Sequence, residues 1–314
     1  MSVISYFGGK SSKAFREFIN VQIPKDGIET YLEPFSGAMG TYMDDPNLIF
    51  ENVYYNDKNR HQVNLMHCSS KPDEFLPYLQ EFKDTVLKTD KTLPLEKWDF
   101  YKAIYKENIK NDFLDNMDFE IGDYKVASMY AFLITSAHNS VYPRGGGFNG
   151  YKKDNDRLKL EVLIDKLKKD KYGEKLRSIN EYTNIDFEEL IREHDSETTY
   201  LYLDPPYARF NEAKGMDDAR RLFWYGSDKE GMFGPASHRR LLELIKSSKS
   251  RWALSYYYFP LLEELLPKDK YRWIDKEFVR SSAHGGNNAN LKSKQSKGRE
   301  LLIMNYDENG VKYQ

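Results

Sequence analysis

The chain has 314 residues, enough for one large domain or two smaller ones, and 47 Lys and Arg against 49 Asp and Glu give a net charge of −2. A hydrophobic fraction of 40% excludes a disordered chain, and the lack of any run of about 18 apolar residues predicts no transmembrane helix. Cys68 is the single cysteine, which excludes an internal disulfide and most cysteine-based metal sites.

Short apolar runs bounded by polar residues predict strands, and periodic apolar spacing predicts the helices between them. The predicted strands are Thr30–Glu33, Asn52–Asn56, Thr199–Leu203, Arg251–Ser255 and Glu300–Asn305. The predicted helices are one that ends at Asn20 after a Ser11 or Ser12 cap, Phe187–Glu193 after an Asp186 cap, and one that ends at Ser247 after a Ser237 cap. This alternation predicts an α/β fold with a mostly parallel sheet and helices on both faces.

The middle of the chain has mostly helical patterns and few strand signals. Its predicted helices are Asp73–Lys83, Leu95–Lys110, Tyr124–Ala137 and Arg157–Lys169. We therefore expect residues 61–171 to form an inserted helical domain with a Gly-rich loop near 145–150. Residues 1–60 and 172–314 then form the α/β domain. Residues 137–177 carry 11 basic against 6 acidic residues, so a polyanion can bind there although the whole chain is nearly neutral.

The strongest chemical signal is the segment Asp204–Tyr207, Asp-Pro-Pro-Tyr, directly after a predicted strand. Ligands of open α/β sheets bind at the carboxyl ends of strands. The amino group of a planar base is a poor nucleophile, because its lone pair is delocalised into the ring. The Asp204 carboxylate and the Pro205 carbonyl can accept its two N–H bonds, and Tyr207 offers a ring on which an extruded base can stack. The pattern favours chemistry on an amino group over a plain proline-rich turn.

Two more acids end or follow predicted strands. Glu33 opens a turn with Gly37, where small residues permit close approach of a ligand. Asp57 follows about 20 residues later, where an acid holds ribose hydroxyls in many nucleoside-binding folds. A plain turn is the alternative for both segments. The segment Tyr6–Lys10 is not a phosphate-binding loop because Ile4 stands at the required glycine, but its glycine pair and lysine can hold a carboxylate.

These motifs, in this order, resemble those of the Dam-like adenine-N6 DNA methyltransferases, the D12 or alpha class. The matching segments are Phe7–Lys10, Glu33–Gly37, Asn56-Asp57, the helical insertion and Asp204–Tyr207. Residues 131–149 resemble the segment that leads into that family's DNA-reading hairpin, and residues 299–303 resemble its final strand. The sequence departs from the family at Met39 and Ser140, where glycine is common.

The resemblance implies a Rossmann-like, S-adenosylmethionine-dependent methyltransferase domain with an inserted, mainly helical target-recognition domain. It implies that Asp57 holds the cofactor ribose and that Asp186 with Phe187 holds the cofactor adenine. The implied cofactor-binding residues are Tyr6, Phe7, Gly8, Gly9, Lys10, Glu33, Pro34, Phe35, Gly37, Asp57, Asp186, Phe187 and Asp204. A flipped adenine would stack on Tyr207 and be methylated at N6, with Asp204, Pro205, Pro206 and Tyr207 as the catalytic residues. The product is S-adenosylhomocysteine, and no metal is required.

The implied partner is double-stranded DNA. We expect bases near Asn139, Arg144, Asn149 and Tyr151, and phosphates near Lys152, Lys153, Lys292, Lys294 and Lys297. A restriction endonuclease that acts on the same site is a further expected partner, and the expected location is the cytoplasm of a bacterial or phage-infected cell. One flipped base needs one active site, so a monomer suffices. No membrane partner is expected.

Two alternatives stay open on the sequence. The first is another amino-group methyltransferase that acts on cytosine N4, RNA adenine or a protein amide. Asp204 favours adenine, because cytosine enzymes more often resemble Ser-Pro-Pro-Tyr and amide enzymes Asn-Pro-Pro-Tyr. The second is a DNA-binding relative without catalysis. Against it, the acids that the chemistry and the cofactor need are present at Glu33, Asp57, Asp186 and Asp204.

Overall fold

The computed structural model describes Ile4 and residues 13–87, 118–137, 151–152, 157–170, 172–207, 209–211, 215–217, 233–280 and 296–313. Within these residues the strands are β1 Thr30–Glu33, β2 Asn52–Asn56, β3 Tyr151–Lys152, β4 Arg157–Leu158, β5 Glu181–Thr183, β6 Thr199–Leu203, β7 Arg209–Asn211, β8 Gly215–Asp217, β9 Arg251–Tyr256, β10 Arg272–Arg280 and β11 Ser296–Met304. The helices are α1 Lys13–Asn20, α2 Gly40–Met43, α3 Arg60–Ser69, α4 Pro72–Leu87, α5 Tyr124–Ser136, α6 Lys159–Lys168, α7 Gly173–Arg177, α8 Phe187–Glu193, α9 Pro235–Ser247 and α10 Pro260–Leu265.

The described strands form one seven-stranded sheet and two small antiparallel pairs. The order in the large sheet is β10-β11-β9-β6-β1-β2-β5. Strands β5, β2, β1, β6 and β9 run parallel to one another, and β11 runs antiparallel to both of its neighbours. The predicted α/β class and mostly parallel sheet are therefore confirmed, and the topology is that of a Rossmann-like fold.

Apolar side chains cover both faces of the sheet. In β1, Tyr31 and Leu32 are fully buried but belong to different clusters, because successive strand residues point to opposite faces. Tyr31 shares its cluster with Tyr130 of α5, whereas Leu32 packs with residues such as Leu241 of α9. Helices on the two faces therefore hold the parallel strands in place.

Helix starts follow the local sequence. Asp123 caps α5 and Asp186 caps α8, each with its carboxylate accepting a backbone N–H of the first turn. The prediction that Ser237 caps α9 is wrong: Gly234 is the capping residue, because Pro235 occupies the first helical position, where its missing N–H costs nothing.

The other predicted elements agree with the structure to different degrees. Strands β1, β2 and β6 and helix α8 have the predicted bounds. The helix predicted at Arg157–Lys169 begins two residues later, after β4, and the strand predicted at Glu300–Asn305 begins four residues earlier, as β11. The sequence does not predict β3, β4, β5, β7, β8 and β10. The helix predicted at Leu95–Lys110 and the Ser11 or Ser12 cap lie outside the described residues. The domain boundaries at residues 60 and 172 stay a prediction.

No helix among the described residues is long and apolar enough to cross a membrane.

Candidate active site

Three neighbouring parallel strands bring acids to one edge of the sheet. Strand β1 ends at Glu33, β2 is followed by Asp57, and β6 is followed by Asp204. After β1 the chain forms β2 and β5, then returns to the other side of β1 to form β6. This reversal is a topological switch point, where ligands of open α/β sheets bind. Glu33 and Asp204 flank it.

Glu33 is a buried carboxyl that accepts hydrogen bonds from two hydroxyl groups. Its Oε1 accepts from the Tyr31 hydroxyl at 2.5 Å and from the Thr41 hydroxyl at 2.7 Å. Burial raises the pKa of Glu33 to about 8, the two hydroxyl donors lower it, and the nearby Asp204 charge raises it. Glu33 is therefore mostly neutral at pH 7, and a nearby cation would favour its ionised form.

The turn after β1 is held by side chains from β2 and α3. Gly37 has a φ of 50°, which a glycine adopts without steric cost. Its N–H donates to Asp57 Oδ2 at 2.8 Å, and its carbonyl accepts from the Tyr55 hydroxyl at 2.6 Å and from Gln62 Nε2 at 2.9 Å. Hydrogen bonds from β2, α3 and the residue after β2 therefore satisfy both polar backbone groups of Gly37 and hold the turn in this conformation.

Asp57 and Asn56 join this turn to the end of β2. Asp57 Oδ1 accepts the N–H of Asn59 at 2.8 Å, and Asn56 Nδ2 donates to the Pro34 carbonyl at 3.0 Å. Burial raises the pKa of Asp57 to about 6, while the N–H donors from Asn59 and Gly37 lower it. Because a carboxylate has about four acceptor sites, Asp57 retains capacity for a ligand hydroxyl.

Met39 occupies a backbone conformation that favours glycine. Its φ is 47° and its ψ is 42°, in the left-handed region, and its side chain is fully buried. The left-handed conformation costs a residue with a side chain about 1–2 kcal/mol, and burial of a methionine contributes about 1.5–3 kcal/mol. The turn therefore has a backbone conformation typical of glycine at this position, while the Met39 side chain packs in the core.

Asp186 and Phe187 open α8, directly after the carboxyl end of β5. The Asp186 carboxylate pairs with Arg240 of α9 at 2.8 Å. The Arg240 guanidinium also lies 4.6 Å from the centroid of the Phe187 ring. Phe187 packs against Phe35 and Phe233 with centroid distances of 5.4 Å and 5.7 Å. An acid, a cation and an aromatic cluster thus lie together beside the glycine turn.

The segment after β6 carries a carboxylate and a stacked ring. The Tyr207 hydroxyl donates to Asp204 Oδ1 at 2.8 Å and lies in contact with the Glu300 carboxyl of β11. The Tyr207 ring stacks on Tyr256 with centroids 5.2 Å apart and an interplanar angle of 23°. Tyr257 packs edge-on at 4.6 Å. These contacts fix the plane of the Tyr207 ring.

The structure gathers several of the predicted site residues at this edge of the sheet. They are Glu33, Pro34, Phe35, Gly37, Asp57, Asp186, Phe187, Asp204, Pro205, Pro206 and Tyr207. Tyr151 and Lys152 form β3, and Lys297 belongs to β11. The others lie outside the described residues: Tyr6, Phe7, Gly8, Gly9, Lys10, Asn139, Arg144, Asn149, Lys153, Lys292 and Lys294. The roles assigned to all of these residues stay predictions.

The sequence reasoning missed six residues that support the site, namely Tyr31, Thr41, Gln62, Arg240, Tyr256 and Glu300. Tyr31 was predictable, because it precedes Glu33 by two positions on a strand and so shares its face. Thr41 lies on α2, a few residues after the Glu33–Gly37 turn, but no local pattern links its hydroxyl to Glu33. The other four come from other elements of the fold. Within the described residues, no group of three or more His, Cys, Asp or Glu side chains could hold a metal ion.

Comparison with known proteins agrees with this geometry. No curated protein matches the chain. The family model for D12 class N6 adenine-specific DNA methyltransferases matches residues 6–281, which include every segment that forms the sheet edge described above except β11. The chain therefore belongs to the D12 class N6 adenine-specific DNA methyltransferases and is an S-adenosylmethionine-dependent enzyme that methylates adenine N6 at specific sites in DNA.

Proposed function

We propose that adenine is methylated at the carboxyl ends of β1 and β6, with the Asp204 carboxylate and the Pro205 carbonyl as acceptors for its amino group. The observation that carries this proposal is the position of Asp204 beside Glu33 at the topological switch point. Two acceptors on one amino group draw its hydrogens to one side and leave the nitrogen lone pair free of competing contacts. Most of the catalysis is then positioning and electrostatic preorganisation.

The hydrogen-bond acceptors and aromatic rings at this edge of the sheet fit S-adenosylmethionine. Buried carboxyls accept hydrogen bonds from hydroxyl and ammonium groups, and the aromatic cluster beside Asp186 suits a purine ring. We assign the methionine part to the turn at Glu33–Gly37 and to Tyr6–Lys10, the ribose to Asp57, and the adenine to Asp186 with Phe187. S-adenosylmethionine, when bound, supplies a methyl group on a positively charged sulfur.

Tyr207 is proposed to support the flipped base. Stacking on Tyr256 and the hydroxyl contact with Asp204 support this role, because both restrain the ring in one orientation. A base outside the duplex loses its stacking partners, and an aromatic ring replaces them. Pro206 is proposed to stiffen the segment that connects Asp204 to Tyr207.

DNA is proposed to lie along the same edge of the sheet. Strand β10 runs parallel to β9 and therefore ends at the edge of the sheet where Asp204 lies. Strand β11 begins at the same edge. The connection between them carries Lys292 and Lys294, which supports phosphate contacts near the site. The antiparallel pair β3 and β4, at Tyr151–Lys152 and Arg157–Leu158, supports a DNA-reading hairpin with Asn139, Arg144 and Asn149 before it and Lys153 within it.

The family assignment suggests a biological setting for this enzyme. We assign the enzyme to the cytoplasm of a bacterial or phage-infected cell, as a monomer, with a restriction endonuclease of the same site specificity as its partner. Its family supports DNA as the substrate. A methyltransferase that protects such sites from cleavage would pair with an endonuclease of this kind.

Nucleoside mass spectrometry tests the proposed chemistry. Unmethylated DNA is incubated with S-adenosylmethionine and either the wild type, Asp204→Ala, or the control Asp269→Ala, which removes an exposed carboxylate. We expect N6-methyladenine from the wild type and the control only, while calorimetry shows that Asp204→Ala still binds the cofactor. N6-methyladenine from Asp204→Ala at the wild-type rate would refute the role of Asp204. N4-methylcytosine from the wild type would refute the assignment of the base.

A further inference from the structure

Tyr130 is a buried tyrosine that the roles above leave unexplained. It lies on α5, in the part of the chain predicted to form the inserted domain, and only 2% of its surface is exposed. The hydroxyl of a buried tyrosine needs hydrogen-bond partners. Asn59 Nδ2 donates to this hydroxyl at 3.0 Å, and the hydroxyl donates to Gln62 Oε1 at 3.4 Å. Tyr130 therefore joins α5 to the start of α3.

Both of these partners lead to Asp57. The Asn59 N–H donates to Asp57 Oδ1 at 2.8 Å. Gln62 Nε2 donates to the Gly37 carbonyl at 2.9 Å, and the Gly37 N–H donates to Asp57 Oδ2 at 2.8 Å. Together with Tyr130, these residues form a closed ring of hydrogen bonds, and one arm of the ring ends on each oxygen of Asp57.

Every group in this ring has a consistent role as donor or acceptor. Asn59 donates from its N–H into the short arm and from Nδ2 into the long arm, and Asp57 accepts at both ends. Asn59 Oδ1 accepts the Gln62 N–H at 3.3 Å, which orients the amide with Nδ2 toward Tyr130. The bond from Tyr130 to Gln62 is the longest in the ring, so the bond from Asn59 is the stronger of these two contacts.

The ring leaves Asp57 able to bind a pair of hydroxyl groups. Each carboxylate oxygen has about two acceptor sites, and one N–H fills a site on each oxygen. Among the described residues no other group donates to these oxygens, so a second site remains on each. Two adjacent hydroxyls of a ribose require such a pair of sites. The two N–H groups set the rotation of the carboxylate and therefore the direction in which these sites point.

Tyr130 has a defined position relative to α3. The helices α3 and α5 run antiparallel, because Asn64 Nδ2 donates to the Asp123 carbonyl at 2.9 Å at one end and Asn59 contacts Tyr130 at the other. The His61 ring stacks on the Tyr130 ring with centroids 5.6 Å apart. The hydroxyl is therefore held where it can orient the Asn59 side chain.

We propose that Tyr130 is a positioning residue for the cofactor: by holding Asn59 and Gln62, it sets the orientation of the Asp57 carboxylate that receives the ribose hydroxyls of S-adenosylmethionine. A helix predicted to belong to the target-recognition insertion then completes the cofactor site. This inference rests on the ribose role proposed for Asp57, which Asp57→Ala tests separately.

Calorimetry with two ligands tests this role. The ligands are S-adenosylhomocysteine and its 2′,3′-dideoxy analogue, which lacks both ribose hydroxyls. Tyr130→Phe removes the hydroxyl and keeps the ring. We expect it to raise the Kd for S-adenosylhomocysteine about three- to fivefold and the Kd for the analogue less than about 1.5-fold. The control is Tyr124→Phe, which removes a hydrogen bond from a tyrosine of the same helix to Glu74 and should bind both ligands as the wild type does.

Asn59→Ser tests the path through Asn59. Serine keeps an oxygen that can cap α3 but has no amide group to donate to Tyr130. We expect a rise in the Kd for S-adenosylhomocysteine similar to that of Tyr130→Phe. The double variant should add less than about twofold, because both substitutions break the same bond. At saturating cofactor, Tyr130→Phe should methylate DNA within about twofold of the wild-type rate.

Three results would overturn the role of Tyr130. One is a loss of affinity in Tyr130→Phe that is equal for the two ligands, because it would report a general effect on the fold. Another is losses from Tyr130→Phe and Asn59→Ser that multiply. The last is a wild-type Kd for S-adenosylhomocysteine in Tyr130→Phe, whatever its methylation rate. If Tyr130→Phe does not fold, as judged by circular dichroism, the two ligands measured on Asn59→Ser still decide the proposal.

Asp57→Ala separates this inference from the role of Asp57 itself. We expect Asp57→Ala to bind S-adenosylhomocysteine and the dideoxy analogue with nearly equal affinity. If Asp57→Ala still prefers S-adenosylhomocysteine as the wild type does, the ribose assignment is wrong. If Asp57→Ala loses that preference while Tyr130→Phe keeps it in full, only the role of Tyr130 is wrong.

Discussion

Glu33 and Asp204 stand at the ends of two hydrogen-bonded parallel strands, and the negative charge of Asp204 raises the pKa of the Glu33 carboxyl. Burial is the larger cause of the same shift, which brings the pKa of Glu33 to about 8. The Asp204 charge thus adds to the cost of ionising Glu33, and a cationic ligand beside Glu33 would relieve that cost. The site is therefore less stable on its own than with such a ligand bound.

Glu33→Gln should make the ligand-free protein more stable above neutral pH. The folded protein keeps the Glu33 proton up to a pH of about 8, whereas the model value for the unfolded chain is 4.5. Unfolding therefore releases a proton in this window, and stability falls as pH rises through it by up to about 1.4 kcal/mol per pH unit. Glutamine accepts the same Tyr31 and Thr41 hydrogen bonds without this penalty.

Urea unfolding at pH 6 and pH 8 measures this difference. We expect the wild type to lose about 2 kcal/mol more than Glu33→Gln between the two pH values. Glu29→Gln, which changes an exposed carboxylate just before β1, should follow the wild type. The pKa of Asp57, raised to about 6, affects all three proteins equally. Equal slopes for the wild type and Glu33→Gln would contradict the raised pKa of Glu33.

The sequence predicted the parts of this site that are local. Strand ends at Glu33 and Leu203 follow from apolar runs that stop at a polar residue or a proline, and the motifs that follow them were recognisable by residue order. Strand β5 has only three residues, too few for an apolar pattern, so it was not found. Gln62 and Glu300 reach the site from other elements, and only tertiary packing reveals them.

Gln62→Leu should weaken the binding of S-adenosylmethionine. The substitution keeps the buried volume of α3 but removes one of the two described side-chain donors to the Gly37 carbonyl. The Tyr55 hydroxyl is the one that remains. The substitution also removes the longer hydrogen bond from the Tyr130 hydroxyl to Gln62 Oε1 at 3.4 Å. Loss of the buried bond to Gly37 costs about 1–3 kcal/mol, part of which loosens the turn, so we expect a Kd about three to ten times higher.

Calorimetry with purified protein measures that Kd. Gln80→Leu, which removes an exposed glutamine–aspartate hydrogen bond on α4, is the matched control and should bind normally. At saturating cofactor, Gln62→Leu should methylate DNA at a rate close to that of the wild type. A normal Kd together with a reduced rate would mean that Gln62 acts on the base rather than on the cofactor turn.

Arg240→Gln should also weaken cofactor binding, through Asp186 and Phe187. Arg240 orients the Asp186 carboxylate at 2.8 Å and covers the Phe187 ring at 4.6 Å. The pair is half-exposed, so its loss should raise the Kd for S-adenosylmethionine only about two- to fivefold. Arg239→Gln removes the neighbouring arginine, which pairs with Glu243 and Glu264 on the exposed side, and should bind as the wild type does. Identical effects of the two variants would indicate a general loss of positive charge on α9.

Arg144→Ala and Lys292→Ala should separate base recognition from phosphate contact. Both residues are expected at DNA on sequence grounds: an arginine can bond bidentately to guanine, whereas a lysine contacts phosphates without reading bases. Arg144→Ala should therefore lower the preference for specific over non-specific DNA by about tenfold. Lys292→Ala should weaken both DNAs alike and reduce the slope of log K against log salt by about one unit. Fluorescence anisotropy at four salt concentrations gives both quantities, and a reduced salt slope in both variants with unchanged preference would assign Arg144 to phosphate contact.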